Sequence, residues 1–307
     1  MELFVQANSK IYIQKLVDLG IRKIIVGMEQ FSCRQAISLT YLEVEEITQL
    51  STEIYVLVNA LIEEKYLKEL EIHLEKLHHI GIAGVIFQDF SVLQICKEKG
   101  YSFSCIYHPD TLNTNHQTLS YLQTRGVGGA FLAREIPLIE KIHIQDRVQM
   151  PCIMQIHGVE YMAYSKRKLI QDYLEATDKV LEMNQKEITI QATNVEDACY
   201  IYEDTYGTHI LTKTQLLSLD VLDKMIDVQY GYVESLYLSP EELLQVVRLY
   251  VQGLQALQEN VYQDIKKGLV EQLTAIQTQV KYYHSFLFDQ TVYKIADVRK
   301  REEDERS

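Results

Sequence analysis

Short apolar segments of strand length alternate with longer helical segments through the first half of the chain, and this alternation limits the fold more than any other feature. Strands that alternate with helices build βαβ units around a parallel sheet. Seven strands are predicted before residue 158, and an eighth, Val233–Leu238, follows only after a long interval. The seven are Leu3–Val5, Lys23–Val26, Ile54–Val58, Gly84–Gln88, Ser102–Tyr107, Gly129–Ala133 and Pro151–Ile156.

Eight strands interleaved with helices predict an α/β fold, a (β/α)8 barrel of the TIM type. A doubly wound open sheet is the alternative, because periodicity does not show closure. Residues 1–258 would form the barrel, with 159–229 as an insertion between strands seven and eight that holds short strands at Glu187–Gln191 and His209–Leu211. Residues 259–307 would form a helical C-terminal extension ending in a charged tail. The sequence Ser239-Pro240-Glu241-Glu242 is a capping box and predicts a helix start.

The net charge of −13, from 30 basic and 43 acidic residues, argues against a chain that binds nucleic acid by itself. The best local candidate for such a contact is the basic run Lys166-Arg167-Lys168, which is also typical of a solvated surface. The five cysteines are odd in number and widely spaced, so no disulfide framework is expected. With neither a signal sequence nor a membrane span predicted, we expect a cytoplasmic protein.

Polar side chains follow most of the predicted strands, at the end where barrel active sites are built. We predict that these residues contact a ligand: Asn59, Asp89, His108, Arg134, Glu135 and His157. His157 and Arg134 are the strongest candidates, because a histidine before glycine can approach a ligand closely and arginine binds carboxylates with a two-pronged fork. The alternative is that such residues only cap the helices that follow.

Several motifs, in order along the chain, resemble those of the U32 (collagenase-like) peptidase family. They include Gly27 to Arg34, Val58-Asn59-Ala60-Leu61, Leu132-Ala133-Arg134-Glu135-Ile136, His157-Gly158 and Gly207-Thr208-His209-Ile210-Leu211. The resemblance covers most of residues 1–255 and adds Arg34 to the predicted ligand contacts. It is closest to the shorter members found beside a longer paralogue, on the residues His108-Pro109-Asp110-Thr111 and Ser165-Lys166-Arg167.

Two positions depart from the family in a way that bears on chemistry. Cluster-bearing members hold a [4Fe–4S] centre with cysteines where this chain has Tyr161 and Lys168, and only Cys199 lies downstream. Neither side chain replaces a thiolate, so we expect no cluster and no other metal. The family's acidic-Gly-Arg element near the last strand is replaced by Glu234-Ser235-Leu236.

The resemblance implies a companion subunit that acts with a longer, cysteine-complete paralogue in hydroxylating the wobble uridine of tRNA to 5-hydroxyuridine. A small acidic ligand would bind at the barrel mouth, and tRNA would be contacted only through the partner or the local basic run. One alternative is a peptidase with Cys33 or Cys105 as the candidate nucleophile, although no His-Glu-x-x-His or Gly-x-Ser-x-Gly motif is present. The other is a structural subunit whose 21 tyrosines and helical C-terminus form an interface. No catalytic residue is assigned.

Overall fold

A computed structural model describes residues 1–180, 188–191 and 197–289 of the chain. Its strands are β1 (Glu2–Gln6), β2 (Lys23–Met28), β3 (Ser38–Leu39), β4 (Glu53–Val58), β5 (Gly84–Phe87), β6 (Ser104–Tyr107), β7 (Gly129–Phe131), β8 (Cys152–Gly158), β9 (Tyr161–Ser165), β10 (Thr189–Ile190), β11 (Cys199–Asp204), β12 (Gly207–Thr212), β13 (Gln215–Leu217), β14 (Tyr230–Val233) and β15 (Tyr282–Tyr283). Its α-helices are α1 (Lys10–Asp18), α2 (Tyr41–Thr48), α3 (Leu67–Ile80), α4 (Phe90–Lys99), α5 (His116–Thr124), α6 (Leu138–Gln145), α7 (Leu169–Thr177), α8 (Pro240–Gln258) and α9 (Tyr262–Ile276).

Eight parallel strands close into a barrel in the order β1, β2, β4, β5, β6, β7, β8 and β14. Closure depends on β14, which pairs in parallel with β1 on one side and with β8 on the other. The predicted (β/α)8 barrel is therefore confirmed, and the open sheet is excluded. The eighth strand is Tyr230–Val233 rather than Val233–Leu238, because the chain turns after Val233 and reaches a left-handed residue at Tyr237 (φ 65°).

The barrel interior is a packed core to which each of its eight strands contributes. Its buried side chains are Phe4, Ile25, Tyr55, Leu57, Ile86, Ile106, Phe131, Ile153 and Tyr232. A larger apolar layer lies between the outside of the strands and the helices. Each fully buried side chain of this size stabilises the fold by about 1.5–3 kcal/mol relative to exposure, so the barrel is a rigid support for residues at its rim.

Helix α8 begins where the sequence predicts. Ser239 accepts a hydrogen bond from the backbone N–H of Glu242, and the Glu242 carboxylate accepts one from the Ser239 N–H at 2.6 Å. Pro240 occupies the first turn, where its missing N–H costs nothing. The helix then buries Val246, Val247 and Tyr250 against the barrel.

The insertion between β8 and β14 forms a small antiparallel sheet in the order β10, β11, β12, β9. The predicted strand at His209–Leu211 lies within β12, and the one at Glu187–Gln191 is reduced to β10, with residue 187 outside the described residues. Buried Val159, Tyr202 and Leu211 pack this sheet against Leu236, beside the C-terminal ends of the barrel strands. The insertion therefore covers part of the barrel mouth.

The chain beyond the barrel is helical only as far as Ile276. Leu269 and Leu273 of α9 are buried in the same apolar layer as the barrel helices, so α9 shares the barrel's core. Strand β15 then pairs with β13 and brings residues 282–287 beside the insertion. The predicted charged tail, residues 297–307, lies outside the described residues. Within the described ranges, no helix is both long and apolar enough to cross a bilayer.

Candidate functional site at the barrel mouth

A cavity of about 60 Å³ lies at the C-terminal ends of the barrel strands, beneath the insertion. Polar residues from five strand ends or the loops after them line it: Gln6, Arg34, Asn59, His108 and Glu234. Apolar residues line it too: Leu57, Phe131, Leu132, Leu211 and Leu236. A concave site with a few convergent polar groups on an apolar wall is typical of small-molecule binding.

Arg34 is held in the cavity wall by a buried ion pair. Its Nη2 lies 2.9 Å from the Asp110 Oδ2, and the two side chains are only 7% and 3% exposed. The backbone of Arg34 is left-handed (φ 56°), and its carbonyl accepts a hydrogen bond from the Gln6 Nε2 at 3.0 Å. The guanidinium also lies over the Tyr161 ring, with Cζ 5.0 Å from the centroid. Arg34 Nη1 is buried and has no hydrogen-bond partner among the described residues.

Glu234 follows β14 and is tied into the wall by three donors. The Tyr232 hydroxyl donates to Oε2 at 2.7 Å, and the backbone N–H groups of Ser235 and Leu236 donate to Oε1 at 2.8 and 3.0 Å. Burial raises the pKa of Glu234 to about 7, although these hydrogen bonds and Arg34 oppose the shift. The mouth therefore contains a carboxyl group that changes charge near neutral pH.

Arg134 is engaged on several sides. Its Nε lies 3.1 Å from the Glu135 Oε1, its Nη2 lies 3.1 Å from the Met162 Sδ, and its Cζ lies 5.5 Å from the centroid of the Phe286 ring. Its Nη1 is 3.9 Å from the carboxylate of Glu160. Arg134 lines the cavity, but most of its donor groups already face protein partners.

A buried acid and a buried amine lie beside Arg134. Glu160 is 1% exposed and accepts hydrogen bonds from the Tyr283 hydroxyl and, at 3.0 Å, from the Ser285 hydroxyl. Lys141 of α6 is 4% exposed, and burial lowers its pKa to about 8. Both line the cavity, and neither is among the ligand contacts predicted from the sequence. Strand-end position could have suggested Glu160, but Lys141 sits on a helix with no local signal.

His108, which follows β6, lines the cavity. Its ring stacks on Phe131, with centroids 3.9 Å apart, and its Nε2 lies 3.6 Å from the Asp110 Oδ1. Burial lowers the pKa of His108 to about 4, so the ring is neutral at physiological pH. A neutral imidazole offers a ligand either a donor or an acceptor, depending on its tautomer.

Three other predicted residues brace loops. Asn59 lines the cavity, but its amide is used in two hydrogen bonds with the backbone of Cys33, at 2.9 and 3.0 Å. Asp89 caps α4 by accepting from the Ser91 N–H at 2.9 Å, and it also accepts from the Ile62 N–H at 3.1 Å. Glu135 pairs with Arg134. Neither Asp89 nor Glu135 lines the cavity.

The structure places His157 away from the cavity, and a β-bulge explains why. Gln155 pairs with Tyr232 and His157 with Val233, so Ile156 is an extra residue in β8. Regular alternation would put His157 on the same side as Gln155, which does line the cavity. Instead its ring packs against Tyr250 and Tyr282, with centroids 5.6 and 6.2 Å away. It is fully buried, and burial lowers its pKa to about 3.

Tyr161 and Lys168, at the positions where the resemblance implies cluster cysteines, have other contacts in this chain. Tyr161 lies under Arg34, and the Lys168 ammonium donates to the carbonyl of Asp204. Cys199 is partly buried in β11. In the described part of the chain, no three His, Cys, Asp or Glu side chains gather in a way that could hold a metal ion. Tyr161 and Lys168 carry no thiol, so neither can supply a thiolate to an iron–sulfur cluster.

The candidate nucleophiles of the peptidase alternative are poorly placed. Cys33 is 1% exposed, and burial raises the pKa of its thiol to about 12. Its Sγ lies 3.4 Å from the carbonyl of Asn59. Cys105 is 5% exposed, in β6. Reactive cysteines need thiolate character and access, and a buried neutral thiol such as Cys33 has neither.

Comparison with known proteins identifies the family. A model of peptidase family U32 matches residues 10–296. This chain belongs to peptidase family U32. The barrel assignment is independent of this match, because it follows from the pairing of β14 with both β1 and β8.

Two proteins of Bacillus subtilis are similar to this chain. The tRNA hydroxylation protein P2 is 27% identical over 305 residues, which cover 95% of this chain and 99% of that protein. The tRNA hydroxylation protein P1 is 20% identical over 236 residues, which cover 74% of this chain but only 56% of that longer protein. The match therefore covers nearly all of P2 but only about half of the length of P1.

Solved structures give more distant matches. The structure of the U32 peptidase Mk0906 aligns with a TM-score of 0.49 at 10% identity, over 76% of this chain and 92% of that one. The tryptophan synthase α-subunit of Pyrococcus furiosus aligns with a TM-score of 0.41 at 11% identity, over 90% of this chain and 97% of that one.

Proposed function

We propose that this chain is a companion subunit that acts with a longer, cysteine-complete U32 relative in the cytoplasm to hydroxylate the wobble uridine of tRNA to 5-hydroxyuridine. The observation that carries the proposal is the match to tRNA hydroxylation protein P2 over 99% of its length. The existence of the longer P1 in the same organism as P2 supports a paired arrangement.

The division of labour follows from the residues at two positions. Because Tyr161 and Lys168 supply no thiolate, the iron–sulfur cluster of the pair would belong to the longer partner. This subunit would contribute the mouth cavity, where Arg34 and Arg134 favour a small acidic molecule over a neutral one.

Contact with tRNA would come mainly through the partner. Of the basic run, Lys166 lies 3.3 Å from the Glu63 carboxylate and Lys168 is tied to a backbone carbonyl. Arg167 is exposed and has no ion pair with any described residue. One free arginine on a chain of net charge −13 is a weak electrostatic attraction for a polyanion.

Gene deletion with quantification of 5-hydroxyuridine in purified tRNA tests the proposal. Deleting this gene, the gene of the longer relative, or both should lower the modified nucleoside to a similar level, measured by mass spectrometry of nucleoside digests. Restoring the gene on a plasmid should restore the modification. Wild-type levels in the double deletion would contradict the proposal. Peptide release by the purified chain that is lost in Cys33→Ala would favour the peptidase alternative.

A further inference from the structure

We propose that Arg34, rather than Arg134, is the anchor that binds the carboxylate of a small organic acid with an apolar carbon skeleton in the mouth cavity. The inference rests on the small-acid part of the proposed function, and it names the binding group and the class of ligand. In this inference Tyr161 positions Arg34, because its ring lies against the guanidinium.

The first support is an unused donor. Arg34 is 93% buried as a side chain, since 7% is exposed, and it lines the cavity. Asp110 takes its Nη2, while its Nη1 has no partner among the described residues. A buried donor without a partner is costly, because it has lost its hydrogen bonds to water. A ligand carboxylate in the cavity would satisfy it with a charge-assisted hydrogen bond.

The second support is the way the anchor is fixed before any ligand arrives. Asp110 holds one side of the guanidinium at 2.9 Å, and the Tyr161 ring lies against it at 5.0 Å. The Gln6 amide donates a hydrogen bond to the backbone carbonyl of Arg34, whose backbone is left-handed. A guanidinium that two side chains already hold, on a backbone that a third fixes, loses little freedom on binding, which favours affinity. Arg134, by contrast, is already engaged with Glu135, Met162 and Phe286.

The third support concerns the sign of charge that the cavity accepts. Its three acidic residues already have donors: Arg34 and Gln88 on Asp110, Tyr283 and Ser285 on Glu160, and Tyr232 with two backbone N–H groups on Glu234. The unused capacity is on the donor side, at Arg34 Nη1 and at the Lys141 amine, whose one hydrogen bond is a long 3.4 Å contact to a carbonyl. Because the wall also contains leucines and Phe131, an acid with an apolar body fits better than a bare inorganic anion.

Calorimetric titration of the full-length chain with a panel of probes tests the inference. The probes are acetate, butyrate and benzoate, their uncharged amides, and inorganic phosphate. At least one carboxylate with an apolar body should bind, and its amide should bind at least tenfold more weakly. Arg34→Lys keeps a cation beside Asp110 but loses the planar guanidinium with its several N–H donors. This variant should weaken binding about ten- to hundredfold. Arg134→Gln should weaken it less than Arg34→Lys does.

The matched control is Arg22→Lys, an exposed arginine whose Nη1 donates to the carbonyl of Ser51, and it should leave binding unchanged. If Arg34→Lys does not fold, the paired variant Arg34→Met/Asp110→Leu removes both charges together and should abolish binding. Absence of carboxylate binding, preference for phosphate, or a larger loss in Arg134→Gln than in Arg34→Lys would overturn the inference. These titrations contain no tRNA, so they test ligand binding separately from the proposed function. If no carboxylate binds but the deletion strain still loses 5-hydroxyuridine, the inference about Arg34 is wrong and the proposed function is still supported.

Discussion

The placement of His157 in the outer apolar layer predicts an effect of pH on the stability of the fold. The ring is fully buried, and burial lowers its pKa from 6.5 to about 3. The folded state therefore keeps the ring neutral down to about pH 3, whereas the unfolded chain takes up a proton below pH 6.5. Between these two values the unfolded state binds more protons, so His157 lowers stability as pH falls.

The size of the effect follows from the width of that window. One pKa unit corresponds to about 1.4 kcal/mol, and pH 5.0 lies 1.5 units below 6.5. His157 should therefore lower the free energy of unfolding by about 2 kcal/mol between pH 8.0 and pH 5.0. His157→Phe keeps an aromatic ring against Tyr250 and removes the titrating group. The fall in stability over this range should be about 2 kcal/mol smaller in the variant than in the wild type.

Urea denaturation of both proteins at the two pH values measures this difference directly, because contributions from other titrating groups cancel in the comparison. His157→Leu repeats the test with another apolar side chain, in case phenylalanine overpacks the site. Exposed His143→Gln controls for removing a histidine as such. Equal pH dependence in wild type and His157→Phe would refute the assignment, as would loss of 5-hydroxyuridine in a His157→Phe strain whose protein is stably folded.

Three further outcomes are expected. Glu234 should have the opposite effect on stability from His157, because its pKa is raised from 4.5 to about 7. Its contribution to the free energy of unfolding is present below pH 4.5 and falls by about 2 to 3 kcal/mol as pH rises to 7. Urea denaturation should show this fall in the wild type and not in Glu234→Gln. Tyr161→Phe should keep carboxylate binding in calorimetry, whereas Tyr161→Cys should weaken it several-fold, because only the former keeps the ring under Arg34. Gly207→Ala should destabilise by about 2 kcal/mol or more in thermal denaturation, because φ is 139° and a Cβ would lie 2.1 Å from the carbonyl oxygen of Ser165.

The barrel could be predicted from the sequence because its evidence is local. Apolar strands of regular spacing and the capping box at Ser239 report on structure within a few residues of themselves. The predicted eighth strand lies a few residues after the observed one, because Val233–Leu238 is apolar enough to resemble a strand. The observed strand β14 is defined by its pairing with Glu2–Val5 and Ile153–His157, which are far away in sequence.

The site was predicted less completely, for the same reason. Arg34, His108, Arg134 and Asn59 follow strands and line the cavity, as strand-end position indicates. The bulge that removes His157 arises from the pairing of β8 with β14, and no residue near His157 signals it. Glu160 and Lys141 join the cavity through the insertion and a helix, which approach only in the folded chain.

In the proposed pair, this U32 chain is the subunit without a cluster, and the longer partner holds the cluster. Anaerobic affinity purification of the tagged chain, expressed with and without its longer relative and followed by iron and sulfide analysis, tests this arrangement most directly. We predict that the chain alone contains no stoichiometric iron or sulfide, and that both co-purify with it only when the longer relative is present in the eluate. A brown protein with stoichiometric iron and sulfide from the chain alone would contradict the account.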